Sequence, residues 1–124
     1  MSLAALLGFE LLAKTPGSAR LRVVVAPEHL NLHGSAHGGF LFALADEAFA
    51  IASNSHGARA VALTTQMDFF RAVREGDVLE AEALEEHLGR RVASYRVLLR
   101  RDGELVARFS GTVYRSSEAR AFSS

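Results

Sequence analysis

The segment from Asn31 to Ser53, NLHGSAHGGFLFALADEAFAIAS, constrains the fold of this chain more than any other. Small and polar residues lead to the pair Gly38-Gly39, and an almost wholly apolar run then continues without a breaker to Ser53. A helix that is apolar on every side is a buried helix. At ~16 residues and ~1.5 Å per residue it spans about 24 Å, which suits the centre of a small domain. It falls short of the ~20 apolar residues that cross a bilayer. Two carboxylates, Asp46 and Glu47, stand inside the run, and Asp46 has Phe42 and Ala43 one turn before it and Phe49 and Ala50 one turn after. An unpaired carboxylate on such a face is costly to bury, so Asp46 demands either a partner or a chemical task.

The remaining composition narrows the setting of that helix. A chain of 124 residues is expected to form one domain, 1–124, with a core over about 18–115 and a disordered tail over 116–124. Net charge is zero and the pI about 7.0, which leaves no electrostatic footprint for nucleic acid or an anionic membrane. The absence of cysteine excludes disulfides, thiolate zinc sites and cysteine nucleophiles together. The first residues, MSLAALLGFELLAK, lack a basic lead and carry Glu10, unlike a secretion signal. A cytoplasmic enzyme or binding domain is the expectation.

Residues 2–12 read as a short amphipathic helix or an extended lead-in ending near Pro16-Gly17. Residues 20–26 alternate and then become β-branched, a strand stopped by Pro27. Residues 28–37 read as a loop, the helix as 38–53, and Asn54, Ser55 and Gly57 as its closing cap. Strands follow over 61–70, 77–88, 92–99 and 105–114, with a turn at residues 87–90 and a tight positive-φ turn at Asp102-Gly103. One sheet can cover only one side of the central helix. A second copy of the chain is the economical cover for the other, so at least a dimer is expected.

This order of elements, together with HGSAHGGFLFALADEAF, resembles the hotdog-fold acyl-CoA thioesterases, and within them the PaaI group linked to phenylacetate degradation. The resemblance runs from about Leu21 to Arg115, and its most specific part is Asn31, then His37-Gly38-Gly39, then Asp46 nine residues after the histidine. It implies an α+β hotdog fold, an antiparallel sheet wrapped around one long α-helix. It also implies hydrolysis of (hydroxy)phenylacetyl-CoA or related acyl-CoA esters, with coenzyme A as part of the substrate and no other cofactor. The partners implied are the acyl-CoA and further copies of the chain, a dimer or tetramer. Two alternatives stay open: another hotdog acyl-CoA enzyme such as a hydratase, and a non-catalytic acyl-CoA-binding module.

The geometry supports the hydrolase. Thioester hydrolysis needs donors aimed at the developing oxyanion and a carboxylate that attacks the carbonyl or activates water. Free N–H groups at the positive end of a helix supply the donors, and Gly38 and Gly39 allow close approach to that backbone. Asp46 supplies the carboxylate. Gly38 and Asp46 are eight residues apart on one helix, roughly 12 Å, and one carbonyl cannot touch both. If both act, they come from different subunits.

Each candidate has a plain alternative. Asp46 can instead pair with an arginine at an interface; Glu47 points about 100° away and reads as structural. By resemblance Asn31 hydrogen-bonds substrate or water, though it can equally cap a turn. His37 is expected to orient the loop or the thioester. Thr64 matches by resemblance a Ser/Thr that assists the carboxylate, and simple strand propensity explains Thr64 and Thr65 as well. Gly39 lines the substrate site, and Arg71, Arg74, Arg90 and Arg91 are candidates for the CoA phosphates. Phe40, Phe42 and Phe49 are expected in the core. His29, His33 and His37 recur every four residues, but Asn31 and Gly34 break any helix there, so no metal is expected.

Overall fold

In the computed structural model, which describes residues 1–116, the central helix (α2) runs Gly38–Ser53. Its boundaries follow from its caps. His37, in extended backbone, accepts the Gly39 N–H on its ring Nδ1 at 2.8 Å. At the other end Asn54 Nδ2 donates to the Ala50 carbonyl at 2.9 Å, while its Oδ1 accepts the Ala60 N–H at 2.9 Å. That second bond ties the end of the helix to the strand that follows.

Six antiparallel strands wrap the helix: β1 Glu10–Thr15, β2 Ser18–Val24, β3 Arg59–Phe69, β4 Val78–Leu88, β5 Val92–Arg101 and β6 Glu104–Ser116. Their order in the sheet is β1-β2-β4-β5-β6-β3. Alternate residues point at the helix, as the period of a strand requires. Leu21 and Val23 of β2, Leu79 and Ala81 of β4, Tyr95 and Val97 of β5, and Phe109 and Val113 of β6 are buried with Phe40, Leu44, Ala48 and Phe49 of α2. Gly111 breaks this inner row because a Cβ there would lie 2.6 Å from Phe49 Cζ.

Several expectations need adjustment. The N-terminal segment is helix and strand in succession: α1, Leu3–Leu7, is capped by Ser2 and ended by Gly8 at φ 85°, and β1 follows it. The sheet therefore begins at Glu10 and has six strands, one more than the sequence pattern predicts. β4 continues through His87 and Leu88, so the turn to β5 is confined to residues 89–91. Asp102 and Gly103 both take positive φ (50° and 80°), as the tight β5–β6 turn requires. Ser116, assigned to the tail, pairs with Arg59 as the last residue of β6, and residues 117–124 lie outside the described residues.

The helix is covered by its own sheet on one side only. Gly39 and Ala50 are exposed, and Phe42, Ala43, Asp46 and Glu47 are half-buried, so a stripe of α2 stays open. Beside it, β3 forms the edge of the sheet, with Val61 46%, Leu63 56% and Phe69 53% exposed. Among the described residues no helix is long and apolar enough to cross a membrane.

Candidate active site

The loop ahead of α2 is built to hold the helix N-terminus. Pro27–His29 form one 3-10 turn, and His29 is buried with its ring stacked on Phe40, centroids 4.0 Å apart and planes at 13°. His29 Nδ1 accepts the Ala26 N–H at 2.9 Å, and its carbonyl accepts the His37 N–H at 2.8 Å. Asn31 folds the residues between. Its Oδ1 accepts the N–H groups of His33 (2.8 Å) and Ser35 (3.2 Å), and its Nδ2 donates to Ser35 Oγ at 3.2 Å. The Asn31 side chain is thus the hub of this loop, a turn-forming role its residue type favours.

Those bonds distribute the donors of the first helical turn. Gly39 N–H goes to His37 Nδ1, and the N–H groups of Phe40 and Leu41 go to the His37 carbonyl at 3.0 and 3.1 Å. Among the described residues the Gly38 N–H has no acceptor. Gly38 lines a cleft of about 350 Å³ with Ser35, Leu41, Phe69, Phe70 and Arg71. A donor without an acceptor, at the positive end of a 16-residue helix, is suited to an anion or a developing negative charge. The Gly39 N–H, expected beside it in the substrate site, is taken up by the His37 ring.

Asp46 lies two turns along the same helix, half-buried and with no hydrogen bond or ion pair among the described residues. Burial alone pushes its carboxyl above the usual carboxylate range. It does not line the Gly38 cleft. Thr64 stands on the exposed edge strand opposite Thr112, where the register shifts after Ala62, and Thr65 is exposed beside it.

The structure gathers Asn31, His37, Gly38, Gly39 and Arg71 at one end of α2. Arg71 lies 3.4 Å from Glu104, both well exposed. Arg90 and Arg91 are at the other end of the sheet, where with Tyr114 and Arg115 they line a pocket of about 290 Å³ beside the β4–β5 turn. His29, His33 and His37 do not converge: one ring stacks on Phe40, one is exposed, and one caps the helix. Among the described residues no group of three His, Cys, Asp or Glu is placed to hold a metal ion.

One cluster escaped the sequence reading. Beyond the end of α2, His56 Nε2 meets Glu85 Oε2 at 2.5 Å, and the same oxygen accepts from the Tyr95 hydroxyl at 2.8 Å. Burial opposes the charge on Glu85, but the bonds from His56 and Tyr95 outweigh it and hold the carboxyl below its usual range. Burial, and then Glu85, push the Tyr95 hydroxyl far above its own. Nearby, Ser55 Oγ accepts the Gly17 N–H at 2.7 Å and donates to the Ala52 carbonyl at 2.6 Å. Together these bonds clamp the C-terminal end of α2 to the sheet. The one sequence sign was a tyrosine in phase with the inward residues Ala93 and Val97.

Known proteins share the sequence and fold of this chain. Residues 33–107 match the thioesterase superfamily. The chain is 39% identical to acyl-coenzyme A thioesterase PaaI of Escherichia coli, over 88% of this chain and 79% of that protein. It superposes with a TM-score of 0.89 on a mutant of the phenylacetic acid degradation protein PaaI from Thermus thermophilus, at 51% identity, covering 91% of this chain and 97% of the other. A Streptococcus mutans protein solved with acetyl-CoA bound matches with a TM-score of 0.85 and 26% identity, covering 88% and 89%. With its single sheet wrapped around one long helix, this chain belongs to the thioesterase superfamily as a hotdog-fold thioester hydrolase.

Proposed function

We propose that the chain hydrolyses acyl-CoA thioesters, arylacetyl esters foremost, at a site shared between two copies of itself. The observation that carries this reading is the pairing of an unengaged Gly38 N–H with an unpartnered Asp46 on one helix. Their separation, roughly 12 Å, is too great for one carbonyl, so the Gly38 of one copy works with the Asp46 of the other. The open stripe of α2 and the exposed, unpaired edge of β3 support such a pair, since a long apolar edge strand left bare invites another strand. Further pairing of such dimers gives a tetramer.

In this reading the thioester oxygen sits at the Gly38 N–H, where the helix dipole stabilises the charge that develops on it. Asp46 either attacks the carbonyl carbon itself or takes a proton from water that does so. The carbon–sulfur bond then breaks, and the CoA thiolate leaves and collects a proton; where Asp46 itself attacked, water then cleaves the acyl–Asp46 anhydride, which frees the acid and restores the carboxylate. Asn31 holds the loop beside the cleft, His37 fixes the helix start, and Thr64 assists the carboxylate. The chemistry uses no metal or redox cofactor. Support for arylacetyl esters comes from the relatives named for phenylacetic acid degradation, and support for a CoA ester from the neighbour that binds acetyl-CoA.

The test is thiol release from phenylacetyl-, hydroxyphenylacetyl-, benzoyl-, short-chain and long-chain acyl-CoA. Turnover highest on the arylacetyl esters is the expected result. Release from none of them, with CoA still bound, would replace hydrolysis by ligand sensing.

A further inference from the structure

Arginines along this sheet stand mostly against carboxylates, as Arg20 does with Glu80 at 2.7 Å, Arg108 with Asp68 at 3.0 Å and Arg71 with Glu104 at 3.4 Å. Three do not. Arg90, Arg91 and Arg115 gather with Tyr114 around the pocket at the β4–β5 turn, and among the described residues none of the three makes an ion pair. Glu85 feels the charge of Arg115, but its carboxylate is already engaged by His56 and Tyr95. The turn itself is braced: Arg115 Nη1 donates to the Gly89 carbonyl at 2.8 Å, and the Arg115 N–H to the Arg91 carbonyl at 2.6 Å. Three like charges held this close repel one another. Guanidinium forks of this kind match phosphate oxygens.

The position of the pocket says whose phosphate. β3 and β6 pair Val61 with Tyr114 and Phe69 with Ala107, so within one chain the pocket and the Gly38 cleft are eight ladder steps apart, about 26 Å. Two β3 edges paired antiparallel about their midpoint, Thr64, bring Arg59 of one copy opposite Phe69 of the other. The pocket of the first copy then lies on the order of 10 Å, two strand spacings, from the Gly38 cleft of the second.

We infer that Arg90, Arg91 and Arg115 of one copy bind the phosphates of the coenzyme A whose thioester lies in the other copy's cleft. The inference rests on the acyl-CoA and dimer reading above, and it selects among the four arginines offered by the sequence: Arg71, although it lines the cleft, is already paired with Glu104, and the charge of Arg74 is felt by Asp77.

The test compares wild type, R90A/R91A and a charge-matched control, R96A/R100A, on one acyl group carried by CoA and by phosphate-free pantetheine. In R90A/R91A the preference for the CoA ester should fall about tenfold or more, through KM; the control should keep it. An unchanged preference, or an equal loss on both esters, overturns the assignment. Calorimetric titration with CoA itself needs no turnover. If wild type releases no thiol, the hydrolytic reading fails while the titration still decides the arginines: affinity about tenfold weaker in R90A/R91A supports them, and equal affinity removes them. Two-tag heterodimers then test the crossing. D46N placed on the same chain as R90A/R91A, opposite wild type, should leave one site of wild-type KM. D46N opposite R90A/R91A should leave only a site of raised KM. The reverse pattern would put the arginines on the chain that supplies Gly38, against the inference.

Discussion

Asp46→Asn separates the chemistry of α2 from its stability. Asparagine keeps the shape of the side chain and loses its capacity to attack or accept a proton, so turnover should fall by roughly 10²–10⁴-fold, about 3–5 kcal/mol on the barrier at ~1.36 kcal/mol per tenfold. Stability should move the other way. Burial holds the folded carboxyl above its usual range, so the folded chain favours the neutral form. In strong acid both folded and unfolded chains are protonated at Asp46, and the residue is indifferent to folding. As pH rises through the carboxylate range the unfolded chain ionises first, and wild type loses stability that the Asn variant keeps. The melting temperatures should therefore coincide near pH ~3 and diverge above it, with the variant higher. Thiol release at saturating ester gives the first quantity, and thermal melts across that pH range give the second. A variant that melts lower than wild type at neutral pH would mean that Asp46 is stabilised by a counter-charge. Turnover within tenfold of wild type would remove it from the mechanism.

Gly38→Ala should fold normally, since its Cβ would meet Phe69 Cζ at an ordinary 3.6 Å, yet lose about tenfold or more in turnover because the methyl crowds the approach to the Gly38 N–H; full activity would exclude that N–H as the oxyanion donor. Tyr95→Phe takes from Glu85 one of its two side-chain donors, at a cost of ~1–3 kcal/mol. Because Glu85 is held below its usual range, that stabilisation is present above the carboxylate range and is lost as pH falls through it, so melts of the variant should depend less on acid than those of wild type. Gly111→Ala would put a methyl 2.6 Å from Phe49 Cζ and 3.0 Å from Phe109 Cε1, and urea unfolding should register ~1–3 kcal/mol of overpacking. Leu63→Lys, on the open edge of β3, should leave the fold of the chain intact and shift sedimentation toward monomer; an unchanged oligomer would place the contact elsewhere.

What could be read in advance depended on whether a feature was local. The bounds of α2 were legible because an unbroken apolar run lies between Gly38-Gly39 and Asn54, and the Asp102-Gly103 turn because its two residues set their own backbone. β1 was illegible as a strand because all six of its residues are exposed, which leaves no alternation to detect. Val61 and Leu63 read as ordinary strand residues, while their place at a sheet edge depends on pairing with β6, some fifty residues later. In the site, Gly38 and Gly39 are the same letter, and only the bond from Gly39 to the His37 ring distinguishes them. The arginines were equally indistinguishable until carboxylate partners could be assigned to some and not to others. The contact among His56, Glu85 and Tyr95 joins three distant points of the chain and leaves no motif.

The strand order has a consequence for how the molecule assembles. β4, β5 and β6 are neighbours both in sequence and in the sheet, so this meander closes through short turns and can form early. β2 and β3 are consecutive in sequence but sit on opposite flanks of it, with α2 slung between them. β3, like β1 at the opposite edge, is held by a single ladder, so it orders after the meander and opens more readily than it. If a second chain seals that edge, the amide protons of β3 will exchange with solvent more slowly as protein concentration rises, while those of β5 keep one rate throughout. Completion of the sheet and association of the two chains would then be a single step.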